Sequence, residues 1–249
     1  MILCLETSTK SCSVALGQNG KMIALKESLD EKYSHAENLT LYIEDVCKQA
    51  KINLKDVDAI AVSKGPGSFT GLRIGVSTAK GLCYALDKPL IAINSLEAMA
   101  VGVVQKYPNQ LRLSPGPSPR GEGLPPLRGG KEGGANLFCP MIDARRMEVY
   151  CAVYDENLNE IKKISADIID KSSFSDLLQK NKIYFFGDGA EKCKSKISHP
   201  NAVFIADINT SAKSMTLLAE KLFAEKNFED VACFEPFYLK DFVGTQPSP

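Results

Sequence analysis

The 249-residue sequence has no tryptophan, only two histidines and no net charge, because 30 basic residues balance 30 acidic ones. A protein that binds nucleic acid unaided normally has a basic surplus, so any RNA would have to be held mainly by a partner. The histidines, His35 and His199, are far apart in sequence, and neither has a second imidazole at ligand spacing. We therefore expect no metal site in this chain.

Paired cysteines and long apolar runs are also missing. The eight cysteines are scattered without a Cys-x-x-Cys pair, which is typical of buried thiols in a reducing compartment and excludes a disulfide framework. No stretch has the pattern of a signal peptide or the length of a membrane span. We expect a cytoplasmic protein with no membrane partner.

Alternating strand and helix patterns flank one segment that is rich in glycine and proline. Residues 114–134 (SPGPSPRGEGLPPLRGGKEGG) contain twelve glycines or prolines among twenty-one positions, and such a composition predicts a disordered linker. The sequence thus divides into an N-terminal half (1–111), a disordered linker or insertion (112–135) and a C-terminal half (136–249).

Both halves open with the same layout. A strand ends in an acid, Glu6 in one half and Asp143 in the other, and a second strand, a turn with asparagine, a third strand and a helix follow. The matched spacing predicts a duplicated strand–strand–strand–helix unit. Two such α/β halves with mixed sheets around a cleft describe the actin-like ATPase (ASKHA) fold.

In that fold, nucleotide phosphates lie between the two hairpins that follow the paired acids, and such hairpins need glycine and hydroxyl groups. The first hairpin keeps hydroxyls in its run Glu6, Thr7, Ser8 and Thr9. The second offers Asp143 and Arg145 without a glycine. One interpretation is a vestigial nucleotide site; the favoured one is that Asp143 and Arg145 form a structural turn pair.

A glycine-rich loop, residues 63–73 (SKGPGSFTGLR), leads from a strand pattern into a helix pattern. Helix N-termini in this setting can bind anions, but the Gly-Lys-Ser/Thr ending of a Walker A motif is absent. Gly65 and Gly67 would permit unusual backbone angles, and Ser68 or Thr70 would cap the helix. We expect the loop to shape and start a helix rather than to hold a phosphate.

Small residues then recur every four positions, at Gly71, Gly75 and Ala79. Residues at this spacing share one helix face, so another element can approach that face closely. The sequence alone leaves open whether the approaching element lies in the core or across an interface.

Three segments, LETSTKSCSVAL, SKGPGSFTGLRIGVSTAKGL and MIDARRMEVY, resemble the TsaB (YeaZ) family in order and spacing. That family is the smaller, non-catalytic paralogue of the TsaD enzymes, which transfer threonylcarbamoyl to the adenosine next to the tRNA anticodon. The resemblance covers residues 1–106 and, more loosely, 136–239; the glycine- and proline-rich linker departs from the family's short connection. It implies a non-catalytic subunit of the complex that synthesises N6-threonylcarbamoyladenosine in tRNA.

The resemblance also carries a contrast with the catalytic paralogues. TsaD enzymes have a His-x-x-x-His metal motif where this chain has Ser95 and Met99, and neither side chain can replace an imidazole ligand. The remaining Asn94-x-x-Glu97 pattern predicts a helix cap. We therefore expect no catalytic residue and no cofactor bound by this chain alone, with ATP and a metal ion on partner subunits.

The partner implied by the resemblance is a TsaD-like subunit that forms a heterodimer through helices at 34–51 and 70–86. The implied contacts are apolar positions of those helices, namely Leu39, Ile43, Val46, Leu72, Val76, Ala79 and Cys83. The alternative is that these side chains face the chain's own sheet, because one apolar stripe always packs inward. A TsaE-like ATPase, tRNA held indirectly and a homodimer through the same helices complete the expected partners.

A second hypothesis is an independent enzyme on the same fold, either a glycoprotease-like peptidase or a small-molecule kinase. A peptidase would need metal ligands that the sequence does not supply. A kinase would need a carboxylate base in the cleft, and Glu6 and Asp143 are the only obvious acids. Metal content and ATP turnover of the purified chain would discriminate between the hypotheses.

Overall fold

The structure is a computed structural model that describes residues 1–29, 35–107 and 134–240. Ser34, at the start of the first predicted helix, and residues 112–133 of the predicted linker lie outside the described residues. The strands are β1 (Ile2–Glu6), β2 (Ser11–Gln18), β3 (Lys21–Leu29), β4 (Ala59–Gly65), β5 (Leu90–Asn94), β6 (Asn136–Asp143), β7 (Glu148–Tyr154), β8 (Glu160–Ile168), β9 (Lys182–Phe186) and β10 (Ala202–Ile205). The helices are α1 (His35–Ala50), α2 (Phe69–Leu86), α3 (Ser95–Lys106), α4 (Ser175–Leu178), α5 (Ala190–Cys193) and α6 (Thr216–Ala224), with 3-10 turns at Leu54–Asp56 and Ala212–Met215.

Ten strands form two sheets with the same topology. The first has the order β3-β2-β1-β4-β5 and the second the order β10-β9-β6-β7-β8. In each sheet the three leading strands are antiparallel and the two later ones add in parallel. This repeat confirms the duplicated unit and the actin-like fold class that the spacing of the paired acids predicts.

The β2–β3 turn shows how local sequence fixes the strand register. Asn19 and Gly20 both have positive φ, 52° and 70°, as a two-residue hairpin turn with the right-handed twist of its strands requires. Gln18 therefore pairs with Lys21.

Helices and sheets stack in alternating layers, with one helical layer shared by both sheets. Leu3 and Leu5 of β1 face the core under α1 and α2, whereas Ile2 and Cys4 face the other side, where α6 packs. Helix α3 lies in that same inner layer, and its Met99 packs against the second sheet. Helices α4 and α5 cover the outer face of the second sheet. The chain after β10 thus returns to the first sheet.

Two helices of the C-terminal half are shorter than the sequence predicts. The sequence predicts one helix at about 172–181 and another at about 211–227. The first is a single turn, Ser175–Leu178, because the Asp170 carboxylate accepts hydrogen bonds from Ser172 and Ser173 and holds the preceding residues in a turn. The second divides into a 3-10 turn and α6. None of the helices in the described ranges has both the length and the apolar content to cross a bilayer.

Helix α2 begins where the glycine-rich loop ends, and its small face packs on the β1–β2 connection. Ser68 is the N-cap, since its Oγ accepts a hydrogen bond from Gly71 N. A Cβ atom on Gly71 would lie 2.1 Å from Thr7 O, and one on Gly75 would lie 2.3 Å from Thr7 Oγ1. The small-residue face therefore serves a close approach within the core.

Substituting glycines on opposite sides of α2 should change stability in opposite directions. Gly71→Ala should lower the free energy of unfolding by about 1–3 kcal/mol, because the added methyl group meets a backbone carbonyl that cannot move freely. Gly81→Ala should raise it by about 0.5–1 kcal/mol, because a Cβ atom there has no neighbour within 4 Å. Urea unfolding followed by circular dichroism measures both, and equal effects of the two substitutions would contradict this packing.

Candidate functional site in the cleft

A cavity of about 370 Å³ lies between the carboxyl ends of β1 and β6. One wall is formed by residues 8–10 of the first hairpin and 67–70 at the start of α2. The opposite wall is formed by residues 142–145 of the second hairpin and by Asp188, and residues 237–240 line the mouth. The structure thus brings together the two hairpins that follow Glu6 and Asp143 in the sequence.

Glu6 ends β1 as a fully buried carboxyl group behind this cavity. Its Oε1 accepts hydrogen bonds from Ser8 N at 2.6 Å and from Ser63 Oγ at 2.8 Å. Its Oε2 has no hydrogen-bond partner among the described residues. Burial raises the pKa of the Glu6 carboxyl above its usual value, and these hydrogen bonds offset part of that rise. Glu6 thus joins the end of β1 to Ser63 of β4, and it does not line the cavity.

The first hairpin is filled by the chain itself. Thr7 Oγ1 donates to Gly71 O at 2.8 Å, and Ser8 O accepts from Ser68 N at 2.6 Å. A Cβ atom on Gly67 would lie 2.2 Å from Ser8 O, so the loop reaches this position only because it has no side chain. The hairpin is therefore joined to the start of α2 through the hydroxyl of Thr7 and the carbonyl of Ser8.

Thr9 links the hairpin to two distant segments. Its Oγ1 shares a hydrogen bond of 2.7 Å with Thr210 Oγ1, and its carbonyl lies 2.8 Å from His35 Nε2. Because a carbonyl only accepts, the histidine carries its proton on Nε2. Burial lowers the pKa of His35 and favours this neutral form. His35 is thus a core residue that braces the hairpin from the start of α1.

The second hairpin is held by residues of a later turn. Asp143 Oδ1 accepts from the backbone N of Arg145 at 2.9 Å and pairs with Lys192 Nζ. Asp188 Oδ1 accepts from Asp143 N, and burial raises the pKa of Asp188. The predicted Asp143–Arg145 turn is present, but the ionic partner of Asp143 is Lys192 and the bond to Arg145 is to its backbone.

Asp188 and Lys192 are site residues that the sequence reasoning did not assign. Both belong to the segment Gly187–Lys192 (GDGAEK), which reads as a turn that begins a short helix. The signal in the sequence was an acid between two glycines after a buried strand, a pattern typical of a turn at the carboxyl end of a sheet. Only the three-dimensional fold shows that this turn faces Asp143.

The two walls of the cleft present different groups. Ser8 and Thr9 of the first hairpin line one wall, and Asp143 and Asp188 both line the opposite wall. Carboxylates repel phosphate oxygens unless a cation lies between them. No group of three His, Cys, Asp or Glu side chains within the described ranges is placed to hold a metal ion.

The start of α3 carries the two positions that the catalytic paralogues fill with histidine. Asn94 Oδ1 accepts from Leu96 N and Glu97 N, so the predicted helix cap is present. Ser95 and Met99 are buried, and Met99 Sδ lies 3.0 Å from the position of a Cβ on Gly187. Met99 thus packs between the halves.

The seven apolar candidates for partner contact are all buried within the chain. Each is at most 4% exposed, and six of them pack in the core between the first sheet and α1 and α2: Leu39, Ile43, Val46, Val76, Ala79 and Cys83, with Leu72 buried beside Gly65. These side chains therefore face the chain's own sheet, as the alternative interpretation holds, because they form the single apolar stripe of each helix. A partner on α1 and α2 can therefore touch only other residues of these helices.

The outward faces of α1 and α2 carry a different set of side chains. Tyr84 is 88% exposed and Leu41 is 55% exposed. Ser77 and Gly81 lie on the exposed side of α2, seven and three residues before Tyr84 respectively. This combination of small residues with two exposed apolar side chains resembles a helix-packing surface.

Replacing Glu6 should separate its hydrogen-bonding role from its charge. Glu6→Ala should lower the free energy of unfolding by about 1–3 kcal/mol, because Ser8 N and Ser63 Oγ lose their acceptor. Glu6→Gln keeps one acceptor oxygen and should fold with wild-type stability or better at pH 7, as measured by urea unfolding.

The pH dependence provides the internal control for Glu6→Gln. Because folding raises the pKa of Glu6, its contribution to stability is complete below the ordinary value of 4.5 and is lost as pH rises through the folded pKa. Glutamine has no proton to lose, so the stability of the variant relative to the wild type should increase over that rise. A difference independent of pH between 4 and 8 would contradict a raised pKa.

The chain is similar to known proteins whose names refer to threonylcarbamoyladenosine in tRNA. Residues 29–115 match the family described as TsaD, tRNA N6-adenosine threonylcarbamoyltransferase. The chain is 32% identical over 160 residues to the tRNA threonylcarbamoyladenosine biosynthesis protein TsaB of Escherichia coli, covering 64% of this chain and 57% of that protein. It is 26% identical to TsaB of Haemophilus influenzae, covering 97% of this chain and 94% of that protein.

A solved structure called YeaZ from Pseudomonas aeruginosa has the same fold. It superposes with a TM-score of 0.72 at 24% identity and covers 96% of this chain and 99% of that one. A second Pseudomonas aeruginosa structure, described as similar to peptidase YEAZ, gives a TM-score of 0.76 at the same identity and coverage. The sequence matches to TsaB and this full-length fold agree with the order of motifs along the chain, and the chain belongs to the TsaB (YeaZ) family, paralogous to TsaD.

Proposed function

We propose that this chain is a non-catalytic subunit of a complex that synthesises N6-threonylcarbamoyladenosine in tRNA. It binds and stabilises a TsaD-like transferase subunit and helps to form the sites for a TsaE-like ATPase and for tRNA. ATP and the metal ion are bound by the partner subunits. The zero net charge of the chain agrees with an indirect role in holding tRNA.

The names of the relatives support a role in the synthesis of threonylcarbamoyladenosine in tRNA. The two TsaB relatives are named as biosynthesis proteins of this modified nucleoside. The chain is also 36% identical over 111 residues to the tRNA N6-adenosine threonylcarbamoyltransferase of Staphylococcus haemolyticus, across 39% of this chain. The part of the chain that matches the TsaD family, residues 29–115, includes α1, α2 and α3.

The observation that carries the proposal is the outward face of α1 and α2. Tyr84 and Leu41 are mostly exposed there, and a Cβ atom on Gly81 of α2 would have no neighbour within 4 Å. A facing pair of helices could place its side chains over Ser77 and Gly81, since small residues allow close axial approach. A partner that shares the same two helices offers a matching pair.

The interior of the chain supports the non-catalytic part of the proposal. The Thr7 hydroxyl, which would lie near a phosphate in an active member of this fold, is bonded to Gly71 O of α2. Ser95 and Met99 are buried where the paralogue has metal ligands. Glu6 does not line the cavity, so only Asp143 of the two acids that a kinase could use as a base lies there.

A substitution on the outward face of α2 tests the interface. Ser77→Arg places a long charged side chain on the exposed surface, so it should fold normally but weaken binding to the TsaD-like protein of the same genome at least tenfold. Tyr84→Ala should weaken binding by a similar factor through lost contact area. Light scattering of the chain, the partner and their mixture gives the stoichiometry, and titration calorimetry gives the affinity.

Ser198→Arg is the matched control, because Ser198 is exposed on the second half of the chain. It should bind the partner as the wild type does. A one-to-one complex that Ser77→Arg leaves intact would contradict the interface, and the absence of any complex at micromolar concentrations would contradict the proposed function. A chain that forms a homodimer alone, and loses it with Ser77→Arg, would show that the same face also pairs with itself.

A further inference from the structure

After α6 the chain crosses the first half as an irregular segment, residues 229–240, which we call the C-terminal strap. Glu229 N donates to Leu90 O at 2.9 Å. Lys80 Nζ of α2 donates to Ala232 O at 3.1 Å and to Phe234 O at 2.9 Å. Val231 and Phe234 also pack against the core of the first sheet. The first part of the strap is thus firmly anchored to the N-terminal half.

The tip of the strap reaches the cleft and then the opposite half. Phe237 N donates to Lys64 O at 2.7 Å, and the ring of Tyr238 lies 4.8 Å from the ring of Phe69. Beyond them, Lys240 Nζ forms an ion pair with the Glu148 carboxylate on β7. Residues 237–240 line the mouth of the cleft cavity as they pass.

Glu148 belongs to the hairpin that forms the far wall of the cleft. Its backbone N donates to Arg145 O at 3.1 Å, and its backbone O accepts from Lys192 Nζ at 2.7 Å. The Glu148 side chain is therefore attached to a rigid turn. Through these bonds the Glu148 backbone is joined both to the second hairpin and to Lys192.

The two ends of the crossing differ in strength. The attachment to the first half combines backbone hydrogen bonds, a ring contact and half-buried apolar side chains. The attachment to the second half is an ion pair whose lysine and glutamate side chains are 41% and 18% exposed. Ion pairs that reach solvent are weak and are screened by salt. The Lys240–Glu148 pair is thus the weaker of the two attachments.

We propose that the C-terminal strap is a latch across the cleft, with Lys240–Glu148 as its releasable contact. When the pair is formed, the strap holds the second hairpin towards α2 and narrows the cavity mouth. When the pair breaks, the tip at 237–240 leaves the mouth, and the halves open about the shared inner layer of helices. Two-lobed α/β folds commonly move in this way.

Charge reversal in the full chain tests the latch. Glu148→Lys and Lys240→Glu each place like charges at the contact, so each should raise the amide exchange rate of Phe237 about three- to fivefold. Each should also widen the distance between probes on the two halves, measured by electron spin resonance on labels at positions 77 and 198. Raising the salt concentration should move the wild type in the same direction.

The double variant Glu148→Lys with Lys240→Glu restores the pair in reverse and should recover both wild-type readouts. Asp45→Lys is the matched control, because it breaks the Lys26–Asp45 ion pair within the first half and should leave strap exchange and probe distance unchanged. Single variants that leave the probe distance unchanged, or a double variant that fails to recover it, would overturn the latch.

Discussion

The close contact between α2 and the β1–β2 hairpin is the constraint on which the rest of the structure depends. Gly67, Gly71 and Gly75 allow the helix to lie directly on Thr7 and Ser8, at distances that no side chain would permit. This contact fixes the direction of α2 and, with it, which of its faces points to solvent. It also forms one wall of the cleft, where Ser8, Gly67 and Ser68 line the cavity. One set of glycines therefore determines both the outward face of α2 and the shape of this wall.

Much of the fold follows from the sequence because its signals are local or periodic. Asn19-Gly20 fixes a hairpin, Ser68 and Asn94 cap two helices, and the spacing from Glu6 and from Asp143 reveals the duplication. The helix lengths near the C-terminal end were less predictable, because side-chain bonds such as those of Asp170 compete with helix formation.

The candidate site was harder to predict than the fold, since its partners come together only through tertiary structure. The sequence identified Asp143 but not Lys192 or Asp188, which lie more than forty residues away along the chain. The apolar stripes of α1 and α2 could be predicted from the spacing of apolar residues. That spacing does not say whether a stripe faces a partner or the chain's own sheet. Ile43 and Val76 are buried, so the stripes face the chain's own sheet. The proposed interface therefore lies on the opposite, more polar faces of α1 and α2.

The return of the chain to its first sheet has a consequence for how the protein is made. The inner face of β1, with Ile2 and Cys4, is covered by α6, which lies some two hundred residues later in the sequence. On a ribosome the N-terminal half therefore emerges with one apolar face uncovered until nearly the whole chain has been synthesised. Contacts of such long range slow folding, and the exposed face of the nascent sheet is a natural substrate for chaperones that bind apolar strands.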